Sequence, residues 1–383
     1  MINLPALVRA PARQWPRAAR CPTALAQRLL RTLHASFTRA MQNSAMRPFV
    51  LALNRRQALM AALAQLAPPL TLGQTLHANT TVVDDIWQDP QRQRALPVRL
   101  RWPDAASPVP EGGRPVIVYS HGLGGSRAGA QVWGDAWAQA GFVVLHLQHP
   151  GSDLEAARQL ARGGQGRAGL RSLASAEQLR ARLDDVTFAL DDIARRKTID
   201  KAWANVRADG AGMAGHSMGA HTALGVGGQA YPGTPSRAEA RVAALVALSP
   251  ALPARGDAQL AFAAVKRPVL CLSGTLDDDV LGNGATPARR AGVFAALPAG
   301  HKAMLLLEDA DHMTFGGTDR QGPAVFAAQP RSAATLAAQP AHRQRVAAIT
   351  TDWWRAHLLG DAAAQARLAL PPGLGAGDVW RTA

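Results

Sequence analysis

A serine framed by glycines, a run of aspartates and a histidine follow one another through this chain at spacings that could perform nucleophilic chemistry. The stretch AGHSMGAHTAL, residues 214–224, sets Ser217 midway between Gly215 and Gly219. G-x-S-x-G lets a strand turn sharply into a helix, with the serine in a strained backbone conformation at the turn. Side chains at the two glycine positions would collide across so tight a bend. The serine hydroxyl is then presented at a helix N-terminus, where partial positive charge favours a developing oxyanion. Sixty residues on comes Gly274-Thr-Leu-Asp277-Asp278-Asp279, and 35 residues after Asp277 comes His312, within Glu308-Asp-Ala-Asp-His-Met-Thr-Phe315. These are the parts of a proton relay: the histidine takes the hydroxyl proton, and an acid fixes the histidine's tautomer. Asp277, Asp278 and Asp279 compete for the acid's place. A fourth part is Ser120-His-Gly-Leu123-Gly-Gly. Its glycines allow the backbone amide of Leu123 to face the site beside that of Met218, and two such amides form an oxyanion hole.

Other residue types nearby read as framework. His121 and His216 are motif neighbours expected to act as hydrogen-bonded scaffold, and His149, in Gln148-His-Pro-Gly151, as a loop scaffold. Asp309 and Asp311 read as turn residues. Trp133, Trp137, Trp353 and Trp354 lie at helical spacing and read as core.

Elements must hold these groups together. Apolar runs at Pro115–Tyr119, Phe142–Leu147, Val242–Leu248, Pro268–Ser273 and Ala303–Leu307, with a short run before Ser217, read as strands. Helical periodicity appears at Ala130–Ala140, at Ser175–Arg196 (Leu179, Leu183, Val186, Leu190, Ile193) and at His342–Leu359. Strands alternating with helices predict an α/β fold, a mostly parallel central sheet covered on both faces. Residues 81–102 predict an antiparallel N-terminal start, two pieces around Asp89-Pro90. Reactive groups in such a sheet belong at the carboxyl ends of its strands. The segment Gly163–Gly169 is the expected mobile loop.

The N-terminal fifth differs from the rest. Of 383 residues with a formal net charge of +15, residues 1–78 hold ten arginines and no Asp, Glu or Lys. The remaining 305 carry 32 Lys+Arg against 27 Asp+Glu, so the body is only mildly basic and a nucleic-acid partner has little support. Arg55-Arg56 precede the apolar stretch Ala58–Ala67, and small residues follow to Ala78. This resembles a twin-arginine export signal, about residues 46–78, and implies a periplasmic or secreted protein. The apolar run is too short, and too soon broken by Pro68-Pro69, for a stable membrane span. The expected organisation is an extension over 1–78 and a single catalytic domain over 79–383. Cys21 falls in the extension, Cys271 reads as a buried thiol, and no Cys/His cluster has zinc-ligand spacing.

Five segments in order carry a resemblance to the α/β-hydrolase superfamily: DPQRQRALPVRLRWP (89–103), HGLGG (121–125), GHSMGAHTAL (215–224), GTLDDDV (274–280) and DADHMTFGG (309–317). The chain is most similar to bacterial dienelactone-hydrolase-like and platelet-activating-factor-acetylhydrolase-like serine esterases. That resemblance implies a Ser217–Asp277–His312 triad, Asp277 being at the offset from Gly274 where such hydrolases carry their acid. It also implies an oxyanion hole from Leu123 and Met218, no metal or organic cofactor, and a small-molecule ester or lipid ester as substrate. Two departures bear on specificity. Dienelactone hydrolases proper use cysteine where Ser217 stands. The eukaryotic acetylhydrolases take their acid from the strand just after the elbow, and that place here reads Ala247-Leu248-Ser249-Pro250, without a carboxylate. The alternatives are an exported binding protein without turnover, and lipid, polyester or perhydrolase chemistry on the same triad.

Overall fold

Residues 81–102 pair as an antiparallel ribbon, β1 (Thr81–Asp89) with β2 (Arg94–Trp102), turning through 90–93. The outer strand is largely exposed and is tied to its neighbour by Asp84, whose carboxylate accepts from Arg99 Nε at 2.7 Å and Nη2 at 2.8 Å. The computed structural model describes residues 80–164, 166–318 and 331–383; the extension and its export signal lie outside the described residues.

Six further strands are mutually parallel: β3 (Arg114–Ser120), β4 (Val143–Leu147), β5 (Val206–His216), β6 (Val242–Leu248), β7 (Val269–Leu276) and β8 (Lys302–Asp311). A short C-terminal strand, β9 (Val379–Thr382), closes the far edge against β8 in antiparallel register. The order across the sheet is β1-β2-β4-β3-β5-β6-β7-β8-β9. The helices are α1 (Gln131–Gln139), α2 (Leu154–Arg162), α3 (Gly166–Ser172), α4 (Ala176–Ile199), α5 (Met218–Val226), α6 (Ala258–Phe262), α7 (Pro287–Ala296), α8 (Ala333–Leu358) and α9 (Ala362–Ala369).

The pleat sorts side chains into two cores. Along β3, Val116 and Val118 pack with Leu183, Val186 and Leu190 of α4 and with Ala220 and Leu224 of α5. Ile117 and Tyr119 point the other way, onto Trp133 and Trp137 of α1 and Trp353 and Trp354 of α8. Both faces of the strand are buried, which is why its sequence is continuously apolar. Gly212 in β5 has a structural cause: a Cβ there would sit 2.9 Å from the Trp354 ring, so the small residue lets α8 lie against the sheet.

Two expectations change, and one strand is unforeseen. Gly163–Gly169 is no continuous loop, because the chain turns at Gly163-Gly164 and enters α3 at Gly166. Helix α8 begins nine residues before His342 and runs through Pro340. Its start is fixed by Ser332, whose side chain accepts from the amide of Thr335, and by burial of Thr335, which together outweigh the break that proline suggests. Strand β9 carries only four residues and gives no periodicity to read. No helix among the described residues is long and apolar enough to cross a membrane.

Candidate active site

Strand β5 ends at His216 and α5 begins at Met218, so Ser217 alone makes the corner. It sits at φ 56° and ψ −115°, a conformation rare for a residue with a side chain, and its amide donates to Leu248 O at 2.9 Å. The flanking glycines are a steric requirement. A Cβ on Gly215 would overlap the carbonyl of Gly219, and one on Gly219 would overlap the carbonyl of Ser120. The corner thus brings the β3 loop against the start of α5. Two backbone amides beside Ser217, those of Leu123 and Met218, have no acceptor among the described residues. Both residues are buried and line a cavity with Ser217.

The acid and histidine follow β7 and β8. His312 Nδ1 lies 2.8 Å from Asp277 Oδ1 and donates to it. Asp277 is wholly buried. Its other oxygen accepts from Ser249 Oγ at 2.6 Å and Ser273 Oγ at 2.9 Å, and Arg290 Nε stands 2.9 Å from Oδ1. Burial alone would raise the pKa of Asp277. The hydrogen bond and charge of His312, the charge of Arg290 and the Ser249 hydroxyl outweigh it and hold the carboxyl below its usual range. The neighbouring carboxylates do other work. Asp278 accepts from the amide of Asp279, and Asp279 accepts from the amides of Leu281, Gly282 and Gly284, tying the loop that follows. Of the three, only Asp277 meets His312 among the described residues.

The remaining histidines and acids are framework. His216 Nε2 donates to the carbonyl of His312 at 3.0 Å, and burial, with His312 close by, pushes its pKa down to about 3. Asp311 caps the 3₁₀ turn His312–Gly316 through the amide of Thr314 and pairs with Arg331. Asp309 stands at φ 57° with its amide on Thr275 Oγ1.

A second serine–histidine–aspartate chain lies behind the β3 loop. His149 Nδ1 is 2.9 Å from Asp185 Oδ2, and its Nε2 is 2.9 Å from Ser120 Oγ. All three residues are fully buried, so this constellation has the bonds of a triad and no access for a substrate. Its neighbour Arg182, equally buried, donates to Ser152 Oγ at 2.8 Å and to His121 O at 2.6 Å. Burial lowers the Arg182 pKa to about 9, with Asp185 among the charges opposing that fall. His121 donates from Nδ1 to Gly122 O at 2.6 Å and accepts the His149 amide at Nε2. The group holds the peptides that lead to Leu123. Sequence reasoning passed over Arg182 and Asp185, although both repeat the spacing of the apolar stripe on α4 and so mark charge on its buried face. It also passed over Ser249, Ser273 and Arg290, which come from three separate elements.

Two cavities meet at Ser217. One, of about 650 Å³, runs between α4, α5 and the loops after β6 and β7. The other, of about 100 Å³, is lined by His312, Met313, Tyr119 and the β3 loop. Leu123 and Ser217 belong to both.

This strand order, with a strained serine after β5, an acid after β7 and a histidine after β8, is the α/β-hydrolase fold. Residues 71–162 match the family described as platelet-activating factor acetylhydrolase, isoform II. Among solved structures, the chain is similar to a ferulic acid esterase from Streptomyces cinnamoneus, at 22% identity and a TM-score of 0.47, over 77% of this chain and 93% of that one. It is also similar to a dienelactone hydrolase from Anabaena variabilis, at 18% identity and a TM-score of 0.41, over 73% of this chain and 99% of that one. A comparison with curated proteins finds no match.

Proposed function

We propose that this protein cleaves carboxylic esters through an acyl-enzyme intermediate on Ser217. One observation carries the reading: His312 gives Nδ1–H to Asp277 and lines one cavity with Ser217, so its basic Nε2 is left for the serine. Neutral His312 takes the Ser217 proton as Oγ attacks the acyl carbon. The amides of Leu123 and Met218, which have no acceptor among the described residues, receive the oxyanion. The C–O bond to the alcohol breaks, and His312 protonates the departing oxygen. A water deprotonated by His312 then attacks the acyl-serine, and the acid leaves with Ser217 reprotonated. The test is covalent labelling by a fluorophosphonate. Ser217→Ala should keep the fold, judged by circular dichroism and melting temperature, and lose labelling entirely. Undiminished labelling would remove Ser217 from the mechanism.

Export belongs to the same proposal. Arg55-Arg56 and the apolar run after them would direct the protein through a twin-arginine pathway. Replacing both arginines by lysine should leave the protein in the cytoplasm; normal periplasmic yield of that variant would refute the address.

A further inference from the structure

The two cavities at Ser217 differ in size and in their relation to His312. We infer that the large cavity takes the acyl half of the ester and the small one the leaving alcohol, so that the substrates are esters of a bulky apolar acid with a short alcohol. The inference rests on the esterase reading above. In the tetrahedral adduct the acyl carbon is bonded to Ser217 Oγ, and its oxyanion faces the amides of Leu123 and Met218. The oxygen that leaves must lie within hydrogen-bond reach of His312, which gives it a proton. The alcohol therefore lies on the side of His312, and the acyl chain points away from it.

His312 lines the small cavity and does not line the large one. At about 100 Å³ the small cavity has the room of a few waters, at roughly 30 Å³ each. Its walls include buried Tyr119 and His121 and backbone of the β3 loop, held by the Arg182 group, so they have little freedom to spread. A short alcohol fits there, and once it has gone the same space admits the attacking water. The large cavity, at about 650 Å³, is of the size that buries a whole small ligand. Leu179, Met218, Tyr231, Leu252, Leu260 and Leu281 make much of its wall apolar. Leu260 is 73% exposed at its rim, where an apolar chain would enter. The reverse arrangement, a short acid on a long alcohol, would put the chain where the walls are closest.

Two isomeric esters decide between the arrangements, because they differ only in the side of the carbonyl that carries the chain. Ethyl hexanoate and hexyl acetate are given to the full-length protein, and acid release is followed at constant pH. The expected kcat/KM is at least about tenfold higher for ethyl hexanoate, the scale of discrimination that differential burial of a few methylenes provides. Ala251→Phe, which fills the large cavity, should reduce turnover of ethyl hexanoate more than that of hexyl acetate. Ala174→Trp, at an exposed part of the same wall, serves if Ala251→Phe does not fold. Met313→Ala, which widens the small cavity, should raise hexyl acetate turnover relative to ethyl hexanoate. Equal or higher turnover of hexyl acetate by the wild type overturns the assignment and leaves the esterase reading standing. No turnover of either ester by protein that folds normally overturns both.

Discussion

Asp277 is held by four side chains from separate elements, and only one of them is a histidine. His312, Ser249, Ser273 and Arg290 share its two oxygens. Ser249 stands after β6, the place where the eukaryotic acetylhydrolases carry their acid, and here it donates to the acid that follows β7. Removing the charge of a triad acid while keeping its shape lowers turnover by about 10⁴. Asp277→Asn is therefore expected to be nearly inactive. Asp278→Asn and Asp279→Asn, whose side chains bind loop amides, should stay within about tenfold of wild type: an amide oxygen still accepts the Asp278 bond and the two bonds to one oxygen of Asp279, and the bond from the Gly284 amide is lost from the loop alone. Near-normal turnover of Asp277→Asn beside a dead neighbour would move the acid. Ser249→Ala removes one hydrogen bond to a buried carboxylate, worth about 1.5–3 kcal/mol. The expected result is a kcat about tenfold lower or more at unchanged KM, and a change in KM alone would argue that Ser249 acts on the substrate instead.

At the scale of elements, the site is a set of corners made to touch. The β5–α5 corner fits under the β3 loop because residues 215 and 219 have no side chain. Gly219→Ala would force Cβ into the carbonyl of Ser120, so a loss of more than about 3 kcal/mol of stability, or no soluble protein, is expected. A melting temperature within a degree or two of wild type would show that the corner can spread. Helix α4 reaches the same loop from behind through Arg182. Arg182→Met leaves the carbonyl of His121 and both oxygens of Ser152 without that donor, an expected cost of about 3–5 kcal/mol for a broken buried charge cluster. If the Arg182 group also aims the Leu123 amide, kcat should fall at temperatures where the variant is still folded. A folded variant with normal kcat would restrict Arg182 to stability.

Over the whole molecule, buried histidines set the acid limit. Burial pushes His146 and His216 down to about 3 and His149 to about 4, and holds His121 well below the ordinary histidine range. In the unfolded chain each titrates near 6.5. Below that pH the unfolded state binds protons that the folded state does not, so stability falls with pH. The loss runs from about pH 6.5 down to about 4 for His149 and about 3 for His146 and His216, at up to about 1.4 kcal/mol per pH unit for each histidine. Asp277, lowered in the fold, contributes stability that is present above its unfolded pKa and is lost only at more acid pH. Melting temperatures should be level from pH 8 to about 6.5 and then drop steadily toward pH 4. A level profile down to pH 4 would mean that these histidines are protonated in the folded state.

The serine corner, the order of serine, acid and histidine, and the alternation of strands and helices were all legible in the sequence. Each is local: glycines two residues from Ser217, aspartates three to five residues after Gly274, and apolar runs of fixed period. Such features are determined by backbone sterics and side-chain burial within one element. The helical start at Ala333 and the four-residue β9 were not legible, since a cap and an edge pairing outweigh weak or contrary local signals. Residue types alone left Asp277, Asp278 and Asp279 open and only the resemblance favoured Asp277, because which carboxylate faces His312 depends on how the chains after β7 and β8 come together. The difference between Ser217 and Ser120 needed the tertiary structure. Both serines sit at strand ends, and Ser120 has the better-bonded histidine and aspartate, yet of the two only Ser217 lines a cavity, beside two amides with no acceptor among the described residues. Access to solvent is a property of the packed molecule, and no spacing within the chain encodes it.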